Sequence, residues 1–108
     1  MTDDALLDVL GQAADAAGEA LARSARDLVE GSASQHHSDL ATDDAVLGVL
    51  VGAGLGVLSE ESGLRRVASS GLVVVVDPLD GSTNAAAHLP WYATSLCVVD
   101  GHGPRVAL

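Results

Sequence analysis

The feature that most constrains this chain is a run of four valines that leads directly into an acidic turn. Residues 73–76 are all valine, and residues 77–84 read Asp-Pro-Leu-Asp-Gly-Ser-Thr-Asn. β-Branched side chains pack well on a pleated sheet, so we expect residues 72–76 to form a buried strand. Because proline cannot donate to the hydrogen-bond ladder, we expect the chain to turn at Pro78.

The residues after the valine run have the chemistry of a metal and phosphate site. Asp77 and Asp80 are held near a rigid strand end, and paired carboxylates suit a hard cation such as Mg²⁺. Residues 81–83 offer hydroxyls and backbone N–H groups, and they form an anion site if a helix begins there. Metal ligands followed at once by a phosphate cradle are typical of metal-assisted phosphatases. The alternative is a solvated turn, since all these residue types favour turns.

A second pair of acids, Glu60 and Glu61, follows a predicted short strand at residues 57–58. Like charges this close repel each other, and a bound cation would relieve the repulsion. The alternative is an acidic turn on the surface. The sequence therefore indicates a second candidate source of metal ligands.

The segment from Thr42 to Asp44 precedes an apolar stretch at residues 45–58. We expect Thr42 to cap a helix that ends near residues 51–54, where glycines accumulate. Asp43 and Asp44 then have two readings of equal weight. They are either acids of the first turn that favour the helix dipole, or functional groups.

The N-terminal third predicts one long helix followed by a loop. Over residues 3–30, apolar side chains recur at spacings of three and four, and Thr2 or Asp3 can cap the start. Residues 31–38 are polar and predict a loop. Adjacent histidines such as His36 and His37 share one ion poorly, so we expect them to be solvated.

The C-terminal third predicts a hairpin. We expect strands at residues 92–99 and from residue 105 onward, joined by a turn at residues 100–104 that contains Asp-Gly. Residues 64–70 read as a polar connection, and residues 85–88 as a short turn or helix. Together with the helices, these elements predict an α+β fold with two helices packed on an antiparallel sheet.

Composition narrows the class of partner and the compartment. Fifteen acids against five bases give a formal net charge of −10, which argues against nucleic acid and against anionic membranes. The single cysteine, Cys97, cannot form an internal disulfide, and we expect an inert thiol in a reducing compartment. The N-terminus has no signal-peptide pattern, so we expect a soluble cytoplasmic protein.

Four segments resemble one known family. Residues 77–84 resemble the central motif of the inositol monophosphatase family, within the superfamily that includes fructose-1,6-bisphosphatase. Residues 84–96 resemble its N-F-x-H-x-x-P-x-x-A-V-S-I pattern, residues 59–63 its G-E-E-S element and residues 40–43, more loosely, its T-x-x-D segment. The resemblance implies Mg²⁺-dependent hydrolysis of a small phosphate monoester such as an inositol phosphate or sugar phosphate. The metal ligands that it implies are Glu60, Asp77, the Leu79 carbonyl and Asp80.

The resemblance also implies roles for the remaining polar groups. Asp43, together with the Ser82 hydroxyl, would orient the attacking water, and Asp43 would accept its proton. Glu61 would orient metal ligands or water. Backbone N–H groups of Gly81, Ser82 and Thr83 would hold the phosphate.

Family members are considerably longer than 108 residues, and their C-terminal half contributes a W-D-x-A-A-G element whose acid completes the metal site. We therefore expect residues 1–108 to be the N-terminal, incomplete part of an α/β/α/β/α sandwich, inactive alone and a homodimer in its full-length form. Other substrates stay open, namely fructose-1,6-bisphosphate, histidinol phosphate or a 3′-phosphoadenosine nucleotide. So does a non-catalytic interaction module, or pairing of two copies through an exposed sheet edge.

Overall fold

Two long helices pack on one face of a five-stranded sheet, which confirms the predicted α+β class. The structure, a computed structural model, describes residues 1–29, 35–65, 70–87 and 92–108. In chain order its elements are α1 (Asp3–Val29), α2 (Gln35–Gly52), β1 (Gly56–Ser59), β2 (Gly63–Arg65), β3 (Val73–Asp80), α3 (Ser82–Ala86), β4 (Ala93–Asp100) and β5 (Gly103–Ala107).

Helix α1 forms where its apolar spacing predicts it. The Thr2 hydroxyl accepts a hydrogen bond from the Ala5 N–H at 3.1 Å, so Thr2 caps the helix as expected. One face of the helix is buried at alternating spacings of four and three residues, by Leu6, Leu10, Ala13, Ala17, Ala20 and Ser24. Because most of these side chains are small, α2 can pack closely along this face.

Helix α2 begins at Gln35, and the predicted start at Thr42 is wrong. The buried Thr42 hydroxyl donates to the Ser38 carbonyl at 2.9 Å and to the Asp39 carbonyl at 3.0 Å. The preceding turn thus satisfies this hydroxyl, so threonine can lie inside the helix against α1 instead of capping its end. Of the predicted loop, residues 31–34 lie outside the described residues, and residues 35–38 are helical. The predicted end of the helix is confirmed at Gly52.

The sheet is mixed, with strand order β2-β1-β3-β4-β5. As predicted for the C-terminal part of the chain, β4 is antiparallel to both of its neighbours, β3 and β5, but β1 runs parallel to β3. β2 forms within the segment that was predicted to be a polar connection, because Gly63, at φ 79°, lets the chain fold back onto β1. Residues 66–69 of that connection lie outside the described residues.

The chain does not turn at Pro78, contrary to the prediction. Strand β3 continues to Asp80, and its pairing with β4 shifts register between Asp77 and Asp80. Proline is tolerated at such an irregularity because no ladder N–H is needed there. The Thr94 hydroxyl donates to the Pro78 carbonyl at 2.9 Å, which secures the irregular segment to β4.

The β4–β5 hairpin turns where the Asp-Gly signal predicts it. Asp100 pairs with Gly103, and the Asp100 carboxylate accepts a hydrogen bond from the His102 N–H at 2.7 Å. At the other end of the chain, Arg105 of β5 pairs with Asp3 at 2.6 Å. The Arg105–Asp3 ion pair attaches the start of α1 to the edge of the sheet.

The core lies between the helices and the inner face of the sheet. Among the described residues it is built from aliphatic side chains, mainly Leu6, Leu10, Val46, Leu50, Leu55, Val57, Val74, Val76, Leu96 and Val98. In the described ranges, no helix combines the length and apolarity that crossing a bilayer requires.

Candidate active site

The carboxyl ends of β1 and β3 meet at one edge of the sheet, and the predicted metal ligands lie there. In the parallel register Ser59 is opposite Val76, and the Glu60 N–H donates to the Val76 carbonyl at 3.2 Å. Glu60 is therefore adjacent to Asp77. Ligands of mixed and parallel sheets typically bind beyond the carboxyl ends of the strands, so this edge is a favourable place for a site.

Strand alternation places these two acids on the face of the sheet that the helices leave uncovered. Val57 and Ser59 are buried toward the helices, whereas Leu58 between them is exposed. Glu60 and Asp77 line a groove of about 590 Å³ on this open face. Substrate-sized molecules can therefore approach the acids from solvent.

Electrostatic coupling shows that four acids belong to one cluster. The protonated Glu60 carboxyl donates a hydrogen bond to the Asp77 carboxylate, and this bond together with the Asp77 charge raises the pKa of Glu60 above its ordinary 4.5. Desolvation adds to this shift, and the charges of Glu61 and Asp80 raise it further. All four side chains thus act on the same space, where a cation would be strongly attracted.

Asp77 carries the clearest sign of a missing positive partner. Its Oδ1 atom is buried and has no hydrogen-bond partner. A buried carboxylate oxygen without a donor is unfavourable, and a metal ion would satisfy it. The donors here are carboxylate oxygens, and Mg²⁺ is a hard cation that takes oxygen ligands, so these residues fit that ion. Within the described ranges, however, no three histidine, cysteine or acidic side chains already converge on one point as a ligand set.

Asp43 reaches the same region from α2. It lies eight residues beyond the start of the helix, so the reading of it as an acid of the first turn is wrong. Its side chain is only 2% exposed, and its Oδ1 accepts a hydrogen bond from the Ser59 hydroxyl. Ser59 in turn accepts a hydrogen bond from the Glu61 N–H at 3.2 Å.

Sequence reasoning assigned no role to Ser59. The available signal was its position two residues after Val57 on the same side of a strand, which predicts a buried hydroxyl. A buried hydroxyl needs a polar partner, and acids of neighbouring elements are the obvious candidates.

The segment predicted to hold phosphate forms a tight turn into α3. Gly81 adopts φ 83° and ψ 37°, which favours glycine, and its carbonyl accepts the first helical bond from the Ala85 N–H at 3.0 Å. Ser82 and Thr83 are the first residues of α3, so a helix does begin here, which was the condition set for an anion site, while phosphate binding stays a prediction. The side chain of Ser82 lies outside the described part. Leu79 is buried beside this turn.

Two other residues considered in the sequence lie in α2 and β4. His36 and His37 lie in the first turn of α2 instead of a loop. Cys97 is a free, partly buried thiol in β4, and it lines the same groove as Glu60 and Asp77.

Comparison with known proteins places the chain in a family. The model of the inositol monophosphatase family matches residues 3–108. The chain belongs to the inositol monophosphatase family. This assignment agrees with the motif at the end of β3 and with the acids at the end of β1.

Relatives of known sequence and structure agree with the family. The chain is 39% identical over 70 residues to the fructose-1,6-bisphosphatase/inositol-1-monophosphatase of Methanothermobacter thermautotrophicus, covering 59% of this chain and 25% of that protein. The extragenic suppressor protein SuhB of Bartonella henselae superposes with a TM-score of 0.79 at 30% identity, over 95% of this chain and 42% of the other. An inositol monophosphatase from Anabaena superposes with a TM-score of 0.74 at 29% identity, over 96% and 38%. The chain thus spans less than half the length of these family members.

Proposed function

We propose that this chain carries metal- and phosphate-binding groups of a Mg²⁺-dependent phosphate monoester hydrolase that acts on an inositol phosphate. The observation that carries the proposal is the buried, unpaired Asp77 Oδ1 at the point where the acids of β1 and β3 meet. Family membership supplies the reaction class.

The residues that would hold the metal are Glu60, Asp77, Asp80 and the Leu79 carbonyl. When bound, Mg²⁺ supplies positive charge that polarises the phosphoryl oxygens and makes water more acidic. These acids come from the ends of two hydrogen-bonded strands, so the backbone fixes their relative positions before substrate arrives. Such preorganisation reduces the cost of ordering the site during the reaction.

The remaining groups act on water and phosphate. Asp43 orients the attacking water, with the Ser82 hydroxyl as its partner, and accepts the proton as the water oxygen forms its bond to phosphorus. The bond between phosphorus and the ester oxygen breaks in the same displacement, and that oxygen takes a proton from solvent water and leaves as the alcohol. A carboxylate has about four acceptor sites, so the hydrogen bond from Ser59 leaves Asp43 able to bind water. Glu61 orients ligands or water, and the N–H groups of Gly81, Ser82 and Thr83 hold the phosphate oxygens.

Metal binding is the first test of this proposal. Calorimetric titration of the chain with Mn²⁺ and Mg²⁺ should give saturable binding, and Asp77→Asn should weaken it by about tenfold or more, because asparagine keeps the shape and removes the charge. Asp8→Asn, which removes an exposed charge from α1, is the matched control and should bind metal like the wild type. Equal affinity for Asp77→Asn and the wild type, or no saturable binding at all, would contradict the proposal.

A second candidate substrate is fructose-1,6-bisphosphate, because the Methanothermobacter relative is described by both activities. Binding of inositol 1-phosphate and of fructose-1,6-bisphosphate to the chain, measured side by side by calorimetry with Mg²⁺, decides between them.

We further propose that residues 1–108 form an incomplete N-terminal domain that turns over poorly alone. Its relatives build their sites from chains more than twice as long. Efficient Mg²⁺-dependent turnover by this chain would contradict that.

A further inference from the structure

One buried hydroxyl, that of Ser59, connects three parts of the candidate site. Ser59 and Asp43 are only 3% and 2% exposed, and the Ser59 hydroxyl donates to Asp43 Oδ1. The Ser59 hydroxyl oxygen also accepts a hydrogen bond from the Glu61 N–H at 3.2 Å. Helix α2, the end of β1 and the acidic turn after β1 therefore meet at this single oxygen atom.

The geometry around Ser59 leaves the hydroxyl little freedom. The next residue, Glu60, donates its N–H to the Val76 carbonyl, so the backbone at this point is fixed to β3. The hydroxyl donates one hydrogen bond, to Asp43, and accepts another, from the Glu61 N–H. A carboxylate withdrawn from water needs such a donor to stay in one orientation.

The side chain at position 59 decides whether these contacts exist. Both hydrogen bonds need a hydroxyl, and the serine at this position supplies it. Ser59 thus contacts the acid that is proposed to accept the proton of water.

We propose that Ser59 is a positioning residue that holds the Asp43 carboxylate and the Glu60–Glu61 turn in one fixed arrangement. This inference rests on the proposed function, which gives Asp43 and the turn their roles. Ser59 itself does not touch the reacting atoms. It acts by coupling the acid on α2 to the acids after β1, so that they present a single geometry to metal and water.

The matched pair Ser59→Thr and Ser59→Val tests the hydroxyl separately from the volume of the side chain. Threonine and valine have nearly the same shape, and only threonine keeps the donor and acceptor. Ser59→Ala removes the hydroxyl without adding volume, so it tests the same point if the larger side chains disturb packing. Amide exchange of Val74, a core residue, reports whether each variant remains folded.

Two measurements report directly on the hydrogen bonds that join Ser59 to Asp43 and to Glu61. In NMR-detected hydrogen exchange, the Glu61 amide should exchange about fivefold faster or more in Ser59→Ala and Ser59→Val than in the wild type, with Ser59→Thr close to the wild type. The Asp43 side-chain carboxyl ¹³C resonance should move in the same two variants. Mn²⁺ titration adds a functional measurement. The affinity for Mn²⁺ should fall in Ser59→Ala and Ser59→Val and should stay close to that of the wild type in Ser59→Thr.

Unchanged Glu61 exchange and an unchanged Asp43 resonance in Ser59→Ala, with Val74 still protected, would overturn the proposal. Equal metal affinity in Thr and Val would also overturn it, because the hydroxyl would then not matter to the site. Failure of the proposed function looks different. The wild type would bind no Mn²⁺, while the exchange and carboxyl readouts would still decide whether Ser59 holds Asp43 and the turn.

Discussion

At the scale of a single residue, the pKa of Glu60 responds to the acids around it. The Asp77 carboxyl raises its pKa above 4.5, with burial and the charges of Glu61 and Asp80 adding to the shift. The folded chain therefore binds this proton more tightly than the unfolded chain. In the absence of metal, the stability that this proton contributes is fully present below pH 4.5. It is lost as the pH rises through the raised pKa of Glu60.

Glu60→Gln tests this dependence, because glutamine is neutral at every pH and has the same shape. In metal-free buffer it should raise the midpoint of thermal unfolding near neutral pH, and the advantage should vanish at about pH 4 or below. Glu19→Gln, an exposed position on α1, makes the same change in net charge. Calorimetric scans of both variants across pH check the prediction, and an equal gain in Glu19→Gln would assign the effect to overall charge instead of the cluster.

The chemistry of the candidate site could be predicted from residue types, whereas its connections could not. Glu60 and Asp77 each follow an apolar run of the sequence, so residue type together with the family resemblance was enough to expect them at one site. The contact between Ser59 and Asp43 joins residues sixteen positions apart on different elements. No local pattern encodes that distance, because it depends on how α2 packs against β1.

At the scale of the elements, glycine has opposite effects on stability at two positions, one inside α2 and one just beyond its end. Gly48 lies inside the helix, where an added Cβ meets no atom within 4 Å, whereas Gly54, just beyond the helix, has φ 84°. Gly48→Ala should stabilise the chain by about 0.5–1 kcal/mol, because alanine loses less backbone entropy in a helix. Gly54→Ala should destabilise it by about 1–2 kcal/mol, since the left-handed conformation strains a residue with a Cβ.

Urea unfolding of the two variants checks this pair, and each serves as the control for the other. Both add the same methyl group to an unobstructed position, so only the backbone conformation differs between them. A loss of stability in both, or a gain in both, would contradict the assignment of these conformations.

Element types were easier to predict from the sequence than element limits. α1 has a regular apolar stripe and the valine run is β-branched throughout, so the type of both elements was predicted correctly. The expectation that the valine run is buried is wrong at Val75, which is 42% exposed. α2 begins in a polar stretch that propensity assigns to a loop, and the burial of Ser38 and Thr42 in the folded chain overrules that local preference. The parallel pairing of β1 with β3 was equally out of reach, because it depends on the crossover path of the chain and not on either strand.

In the molecule as a whole, the two faces of the sheet have different surroundings. The inner face is covered by α1 and α2, and the outer face carries a row of neighbouring apolar side chains, Leu64, Leu58, Val75 and Cys97. The first three are 50%, 43% and 42% exposed. Leu58, Val75 and Cys97 of this row line the same groove as Glu60 and Asp77. The acidic end of the sheet therefore borders a partly solvated apolar surface.

Val74 and Val75 are consecutive residues of β3 that lie on opposite faces, with exposures of 0% and 42%. Val75→Thr should reduce binding of the apolar dye anilinonaphthalene sulfonate and change the free energy of unfolding by only about 0.5 kcal/mol, because the new hydroxyl meets water. Val74→Thr buries the same hydroxyl among aliphatic side chains and should cost about 1–3 kcal/mol. Dye fluorescence and urea unfolding measure the two effects together. Equal losses of stability in both variants would mean that something covers the outer face in solution, since only a covered Val75 would respond to the hydroxyl as Val74 does.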